Sequence, residues 1–339
     1  MLASGFLVPC AMGVHTHRMP FDPPTFTRLL PTGCSLGQRL EYHASLSSTM
    51  TAARELVGSE GGASLHGAVV LADEQTAGLG RRGRSWDAEA CCSLLFSLVW
   101  APAAAGPPAF PELVRLNLAA PLAVAGACSL VGVSSGLVKW PNDVWAGVPP
   151  KKLSGVLLDY DGREAAVLGV GVNVLQDMSL HPAATSVATL LAAQTPSPPG
   201  REAEPGWAGA LEPSSPLAPP ASLRERLLAS FCGELERLMR METAQVVAEH
   251  RRRDLLRGQT VRVHHRTREE HDPRDYDAVA GPGSARTPVF FSTRFFFYQV
   301  AAGVGEDGAL RVRRVGEPAG REVALAAEEV SISPLGPAS

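Results

Sequence analysis

Residues 137 to 160 hold the segment that most restricts the fold. Two strand-length apolar runs, Leu137 to Trp140 and Leu153 to Tyr160, flank a Pro141-Asn142-Asp143 turn. Proline, asparagine and aspartate each favour chain reversal, so this stretch is expected to form a β-hairpin. The side chains around its tip are unusual for a plain turn: Lys139, Asn142, Asp143, Lys152 and a close-approach glycine, Gly155, gather about one reversal. Two cationic sites, an amide and a carboxylate in that space point to chemistry on an anionic ligand.

Upstream lies a second unusual stretch. A short apolar strand, Gly67 to Ala72, leads into Glu74-Gln75, and then the chain reads Thr76-Ala77-Gly78-Leu79-Gly80-Arg81-Arg82-Gly83-Arg84-Ser85-Trp86. The glycines free the backbone to fold over a ligand, and the arginines supply planar donor forks. Taken alone, such a run is as readily a solvated basic turn, and Pro-Asn-Asp alone is ordinary turn chemistry. Both occur in this order, with Lys152-Leu-Ser-Gly155 following, and chance does not easily produce that set.

Periodicity supplies the surrounding map. Ser48-Thr49 opens a helical stretch to about Val57, Ser93 to Trp100 reads as a buried strand, and Glu112 to Leu130 as a helix expected to bend or restart at Pro121. Glu164 to Val174 is a further strand ending in Gly169-Val-Gly171-Val-Asn173, an incomplete dinucleotide signature better read as close strand packing. Ser222 and Glu225 have capping-box spacing, and Leu223, Leu227, Phe231, Leu235 and Leu238 continue an amphipathic helix to about Arg240. From Gly258 onward short strands take over, at Thr260 to His264, Tyr298 to Gly303, Leu310 to Val315, Glu322 to Ala326 and Val330 to Ser333, which reads as a compact barrel.

The expected organisation is therefore a disordered or leader segment over 1–39, a catalytic domain over 40–256 and a C-terminal barrel over 257–335. The catalytic domain carries a disordered proline-rich insertion at 196–221, and the barrel carries an insertion at 265–297 whose phenylalanine run fits no strand alternation. At 339 residues and 45% hydrophobic the chain can bury one large core plus a smaller module. Its formal charge of -3 gives no global attraction to nucleic acid or an anionic membrane, and no uninterrupted apolar stretch is long enough for a membrane span. The six cysteines show no C-x-x-C spacing and read as reduced, while His15, His17, His264 and His265 lack the company of a structural zinc site. No metal site is expected. Residues 1 to 39, with one acidic residue, Asp22, leave room for an organelle transit peptide, although Met19 is an alternative start and a cytoplasmic chain is the simpler expectation.

The two motifs together resemble those of the biotin protein ligases, closely over residues 41 to 194 and loosely over the final barrel. The resemblance implies an α+β fold in which a mixed sheet with flanking helices, like that of class II aminoacyl-tRNA synthetases and lipoate ligases, precedes a small SH3-like barrel. It implies ATP, Mg²⁺ and biotin as reactants and cofactor, biotinyl-5'-AMP as intermediate, and a lysine of a biotin carboxyl carrier protein as acceptor. Ser48, Thr49, Gln75, Gly78, Arg81, Lys152 and Gly155 match the family's biotin-binding positions. Arg81, Arg84, Lys139, Asn142 and Asn173 match its ATP and adenylate positions, and Lys152, Asp143 and Arg81 its catalytic ones.

One departure stands out, because Leu79 occupies the place of the first arginine in the family's Gly-Arg-Gly-Arg loop. The space before residue 40 is too short for a DNA-binding winged helix, so a monofunctional ligase, monomer or homodimer, is the expectation. A lipoate or octanoate ligase and a non-catalytic biotin-binding protein are the competing readings.

Overall fold

The computed structural model describes residues 19–102, 107–194, 222–258, 260–265, 296–314, 322–325 and 330–334. The leader up to residue 18, the proline-rich insertion at 196–221 and nearly all of the insertion at 265–297 lie outside the described residues.

Seven strands form the main sheet: β1 (Leu40–Leu46), β2 (Val69–Gln75), β3 (Ser93–Trp100), β4 (Leu137–Lys139), β5 (Asp143–Ala146), β6 (Lys151–Asp159) and β7 (Ala166–Asn173). Their order across the sheet is β1-β2-β3-β7-β6-β5-β4. β1 and β2 are parallel and the remaining pairs antiparallel, so the sheet is mixed. Every residue of β3 is buried, because this central strand is covered on both faces, and its sequence is accordingly an almost continuous apolar run.

Helix α2 (Thr49–Glu60) lies on one face, where Met50 and Ala53 pack with Val70, Val99 and Val167. Helices α3 (Phe110–Leu130) and α5 (Leu223–Met239) cover the other, and the short α4 (Val187–Gln194) adds Val187 and Leu190 to the same core. There Phe96 of β3 meets Phe231 of α5 edge to face at 5.0 Å between ring centroids. Burying a phenylalanine of this kind contributes about 1.5–3 kcal/mol. The five apolar residues expected to line α5 are all buried.

Several expectations need correction. Residues 19–39 are not disordered: α1 (Pro23–Leu29) packs on α5, and Phe21 and Phe26 are buried in the main core. Pro121 does not restart α3, which runs through it as one helix starting at Phe110. Twelve residues of that helix are buried, and packing on that scale outweighs the roughly 3 kcal/mol that an interior proline costs. By length and composition α3 could pass for a membrane span, but 67% of the apolar window is buried inside this fold.

Ser222 precedes α5 without a side-chain cap, and Glu225 instead accepts the Asp22 amide at 2.8 Å. The capping box belongs to an unanticipated helix, α6 (Thr243–Arg252), formed by Glu242 and Gln245. The turn region is also more elaborate than one hairpin. β4 pairs with β5 and β5 with β6, so Asp143 starts a strand of its own.

The C-terminal strands β8 (Thr260–His265), β9 (Phe296–Val304), β10 (Leu310–Arg314), β11 (Glu322–Leu325) and β12 (Val330–Pro334) match the expected positions closely. They form a five-stranded antiparallel sheet in the order β11-β10-β9-β8-β12. Val304, Leu310 and Leu325 join the main core.

Candidate active site

A cleft of about 180 Å³ opens where the start of α2, the loop after β2, the β4–β5 turn and the middle of β6 and β7 converge. Its floor is made of glycine. Gly155 of β6 pairs directly with Gly171 of β7, and a Cβ at either position would approach the Trp86 indole to 3.0 or 2.6 Å. Glycine is required here because a flat ring lies directly on the backbone. Gly169 performs the same service for Met50, whose sulfur would sit 2.7 Å from an added Cβ.

The polar end of the cleft is built from α2 and β2. Gln75 Oε1 accepts the Thr49 amide at 2.7 Å and the Thr49 hydroxyl at 3.0 Å, while Ser97 donates to Thr49 Oγ1 at 2.9 Å. Ser48 is the N-cap residue of α2 but makes no cap bond, so Gln75, reaching across from the sheet, satisfies one of that helix's free amides. The Ser48 hydroxyl is buried without a protein partner. A buried polar atom left in this way is poised for a ligand that can bond to it.

The arginine loop is itself a small closed hairpin. Gly80 donates to the Arg84 carbonyl at 2.8 Å, Trp86 donates to the Gly78 carbonyl at 3.0 Å, and Leu79 bridges Ser85. A Cβ on Gly78 would stand 2.4 Å from the Trp86 carbonyl oxygen, which explains the glycine there. The closed loop brings Arg81 Nη1 to 3.4 Å from Asn142 Oδ1. Asn142 in turn donates to the Val156 carbonyl and accepts the Val156 amide on its own carbonyl at 2.9 Å. Loop, turn and floor are therefore tied together.

Opposite the arginines, Lys152 Nζ pairs with Asp143 Oδ1 at 2.9 Å and stands 5.5 Å from the centre of the Trp86 ring. Lys139 lies 4.9 Å over Trp145. Burial pushes its ammonium below the usual lysine range, the Asp143 carboxylate opposes that shift, and the nearby cations Lys152 and Arg84 add to it. Several like charges held this close favour a ligand carrying more than one negative charge.

Of the residues singled out from sequence, Ser48, Thr49, Gln75, Arg81, Arg84, Asn142, Asp143, Lys152 and Gly155 line this one cleft. Gly78 shapes the loop. Lys139 is not among the residues that line the cleft. Asn173 does not reach the cleft wall: it is 5% exposed and donates to the Thr185 carbonyl at 3.1 Å, holding the 183–185 segment beside β6. Trp86, Met50 and the pair Gly169 and Gly171 also line the cleft, although local sequence does not mark them as site residues. The signal for Trp86 was a lone aromatic closing the arginine loop, and the alternate glycines of β7 read only as close packing.

In sequence and in fold the chain is similar to known proteins. A model of the Biotin/lipoate A/B protein ligase family matches residues 42–174. The biotin--[acetyl-CoA-carboxylase] ligase of Mycobacterium tuberculosis is 32% identical over 258 residues, which covers 73% of this chain and 82% of that protein. The bifunctional ligase/repressor BirA of Bacillus subtilis is 34% identical over 152 residues, covering 43% of this chain and 44% of its own length. The chain thus spans less than half of that relative. Among solved structures, a biotin protein ligase from Aquifex aeolicus in complex with biotin and ATP shares the fold with a TM-score of 0.57 at 19% identity, over 88% of this chain and 100% of that one.

Proposed function

This chain belongs to the biotin protein ligase family, and from that premise we propose that it activates biotin with ATP and transfers it to a lysine of a biotin carboxyl carrier domain. In the first step a carboxylate oxygen of biotin attacks the α-phosphorus of ATP and pyrophosphate leaves. In the second the lysine amine attacks the acyl carbon of biotinyl-5'-AMP, AMP leaves, and the amine gives up a proton.

The observation that carries this reading is one cleft joining two chemistries across a flat glycine floor. Ser48, Thr49 and Gln75 offer hydroxyl and amide groups at one end, and Arg81, Arg84 and Lys152 offer cations at the other. A neutral ureido ring suits the first set and a carboxylate beside a phosphate suits the second. Lys152 would hold the carboxylate and then the adenylate phosphate, with Arg81 and Arg84 on the phosphate oxygens and Lys139 adding its field. Asn142 keeps Arg81 aimed.

Asp143 is paired with Lys152 at 2.9 Å. Once an anionic ligand draws Lys152 away, its carboxylate is released to orient the acceptor lysine and accept its proton. Among the described residues no group of three His, Cys, Asp or Glu side chains is placed to hold a metal, so Mg²⁺ would arrive on the triphosphate. Bound there it would offset phosphate charge. The C-terminal sheet we read as an SH3-like barrel.

Pyrophosphate release tests the proposal. The wild-type chain should release pyrophosphate with ATP and biotin, with lipoate a poor substitute. Lys152→Ala should reduce the rate on the order of a hundredfold while far-ultraviolet circular dichroism is unchanged. Preference for lipoate would mean a lipoate ligase, and biotin binding without pyrophosphate release would mean a non-catalytic binder.

A further inference from the structure

We propose that Trp140 is a positioning residue through which the C-terminal sheet sets the hairpin carrying Lys139, Asn142 and Asp143; this inference rests on the ligase reading above. Trp140 is 2% exposed and among the largest fully buried side chains. It sits between Lys139 and Pro141-Asn142-Asp143, so a displacement of its ring displaces its neighbours on both sides. An indole N–H buried this deeply needs an acceptor. The acceptor comes from outside the main sheet: Nε1 donates to the Gly308 carbonyl at 3.0 Å, 168 residues further along the chain.

Gly308 belongs to the turn between β9 and β10, and that turn is stiff. Gly305 donates to the Ala309 carbonyl and Gly308 to the Gly305 carbonyl, both at 3.0 Å. Asp307 accepts the Ala309 amide at 3.1 Å and pairs with Arg311 at 2.6 Å. The turn is also anchored to the helices. Arg251 of α6 donates to the Val304 carbonyl at 3.1 Å, and Gly308, at φ +76°, lies so close to Val114 of α3 that an added Cβ would stand 3.1 Å from it.

The hairpin's other edge is held independently. Val138 donates to the Arg253 carbonyl at 2.7 Å and accepts the Leu255 amide at 2.9 Å. β4 is thus clamped between β5 and the chain after α6, and the Trp140 bond fixes the end that points at the cleft. Ser48, Thr49 and Gln75 lie on α2 and β2, elements that this clamp does not touch. Loosening it should spoil the placement of Asn142, Asp143 and, through Asn142, Arg81, while leaving the ring end of the cleft intact. A shift at the reacting atoms of an ångström or less is enough to slow a positioned reaction.

Trp140→Phe keeps an aromatic ring and removes the N–H donor together with part of the indole's bulk. It should lower kcat for pyrophosphate release about tenfold, with biotin affinity by titration calorimetry within about twofold. Amide hydrogen exchange of the 138–146 peptide should speed up while that of the peptide holding Thr49 does not. Gly308→Ala, which strains the turn at its positive φ and crowds Val114 of α3 while leaving the indole whole, should give the same pattern. The double variant should be no worse than the poorer single, since both act through one contact.

Unchanged kcat and unchanged exchange in Trp140→Phe would overturn the inference, as would additive losses in the double variant. Loss of biotin affinity parallel to kcat would show a general structural role and would overturn it too. Absence of biotin-dependent pyrophosphate release from the wild type would instead overturn the ligase reading, and the exchange measurement would still decide the fate of the latch.

Discussion

Leu79 is the residue where this chain parts from its family's loop sequence, and its surroundings explain how the loop closes without an arginine there. It is 43% exposed, lines the cleft and bridges Ser85 through the backbone. The bridge depends on main-chain groups, so the loop's hairpin shape survives any side chain at this position. What leucine cannot supply is a planar fork across the cleft mouth. The natural partner for such a fork, Asp143, already pairs with Lys152 at 2.9 Å, and an added arginine would share that carboxylate. Leu79→Arg should therefore slow the release of labelled biotinyl-adenylate several-fold and reduce biotinylation of bystander lysines. Equal release rates, or slower release from the leucine form, would mean that Leu79 fastens the loop by apolar packing.

At the scale of elements, the least expected feature is the buried carboxylate of Asp73, set in the apolar strand β2. It pairs with Arg224 of α5 at 2.6 Å, both side chains 5% exposed. It accepts the Tyr42 hydroxyl of β1 at 2.6 Å and the Phe21 amide at 3.2 Å. Arg224 also donates to the Met19 carbonyl at 2.6 Å. One side chain thus ties two strands, a helix and the residues preceding α1. Asp73→Ala should cost about 3–5 kcal/mol in urea denaturation, because it leaves a buried guanidinium unpaired. Asp73→Leu combined with Arg224→Met should recover most of that loss. If the double variant were as unstable as Asp73→Ala, packing and not charge would account for the site. Nothing in local sequence announces this network, since its members are up to 205 residues apart.

At the scale of the whole molecule, the joint between the main sheet and the C-terminal sheet contains two titratable groups of opposite tendency, one fully buried and one half-buried. His250 on α6 is fully buried, neither ring nitrogen has a partner, and burial holds its pKa down to about 4. Asp254 beside Val138 is pushed up to about 6, chiefly by burial. Folding keeps the histidine neutral, so between about pH 4 and 6.5 the unfolded chain binds the extra proton and the His250 contribution rises with pH. The aspartic acid does the reverse between about pH 4 and 6, where the folded chain holds the proton, and the two trends offset each other. His250→Leu should remove one of them. Its stability relative to wild type should be greatest at about pH 4 and below, and from about pH 4.5 to pH 6.5 the difference should shrink by on the order of 2 kcal/mol in urea denaturation. A difference that stays constant with pH would show that His250 is not held neutral by the fold.

The chain by itself determined most of the strands and the composition of the cleft. The buried strand at Ser93 to Trp100 and the closely matched C-terminal strands were legible because local periodicity and turn residues specify them. The arginine loop and the Lys-Trp-Pro-Asn-Asp turn were legible because they carry chemistry that turn formation alone does not require, whereas Ser48, Thr49 and Gln75 were marked only by the resemblance to the family. Tertiary structure decided what local sequence leaves open. Pro121 stays inside one helix because burial on that scale outweighs a missing hydrogen bond. The segment around Phe21 and Phe26 is ordered because α5 and Asp73 receive it. Trp86 becomes part of the site, and Asn173 is withdrawn from its wall, because strand register pairs Gly155 with Gly171 beneath one and brings Thr185 within reach of the other. Each of these outcomes depends on contacts between residues far apart in the chain, whose free energies no window of local sequence contains.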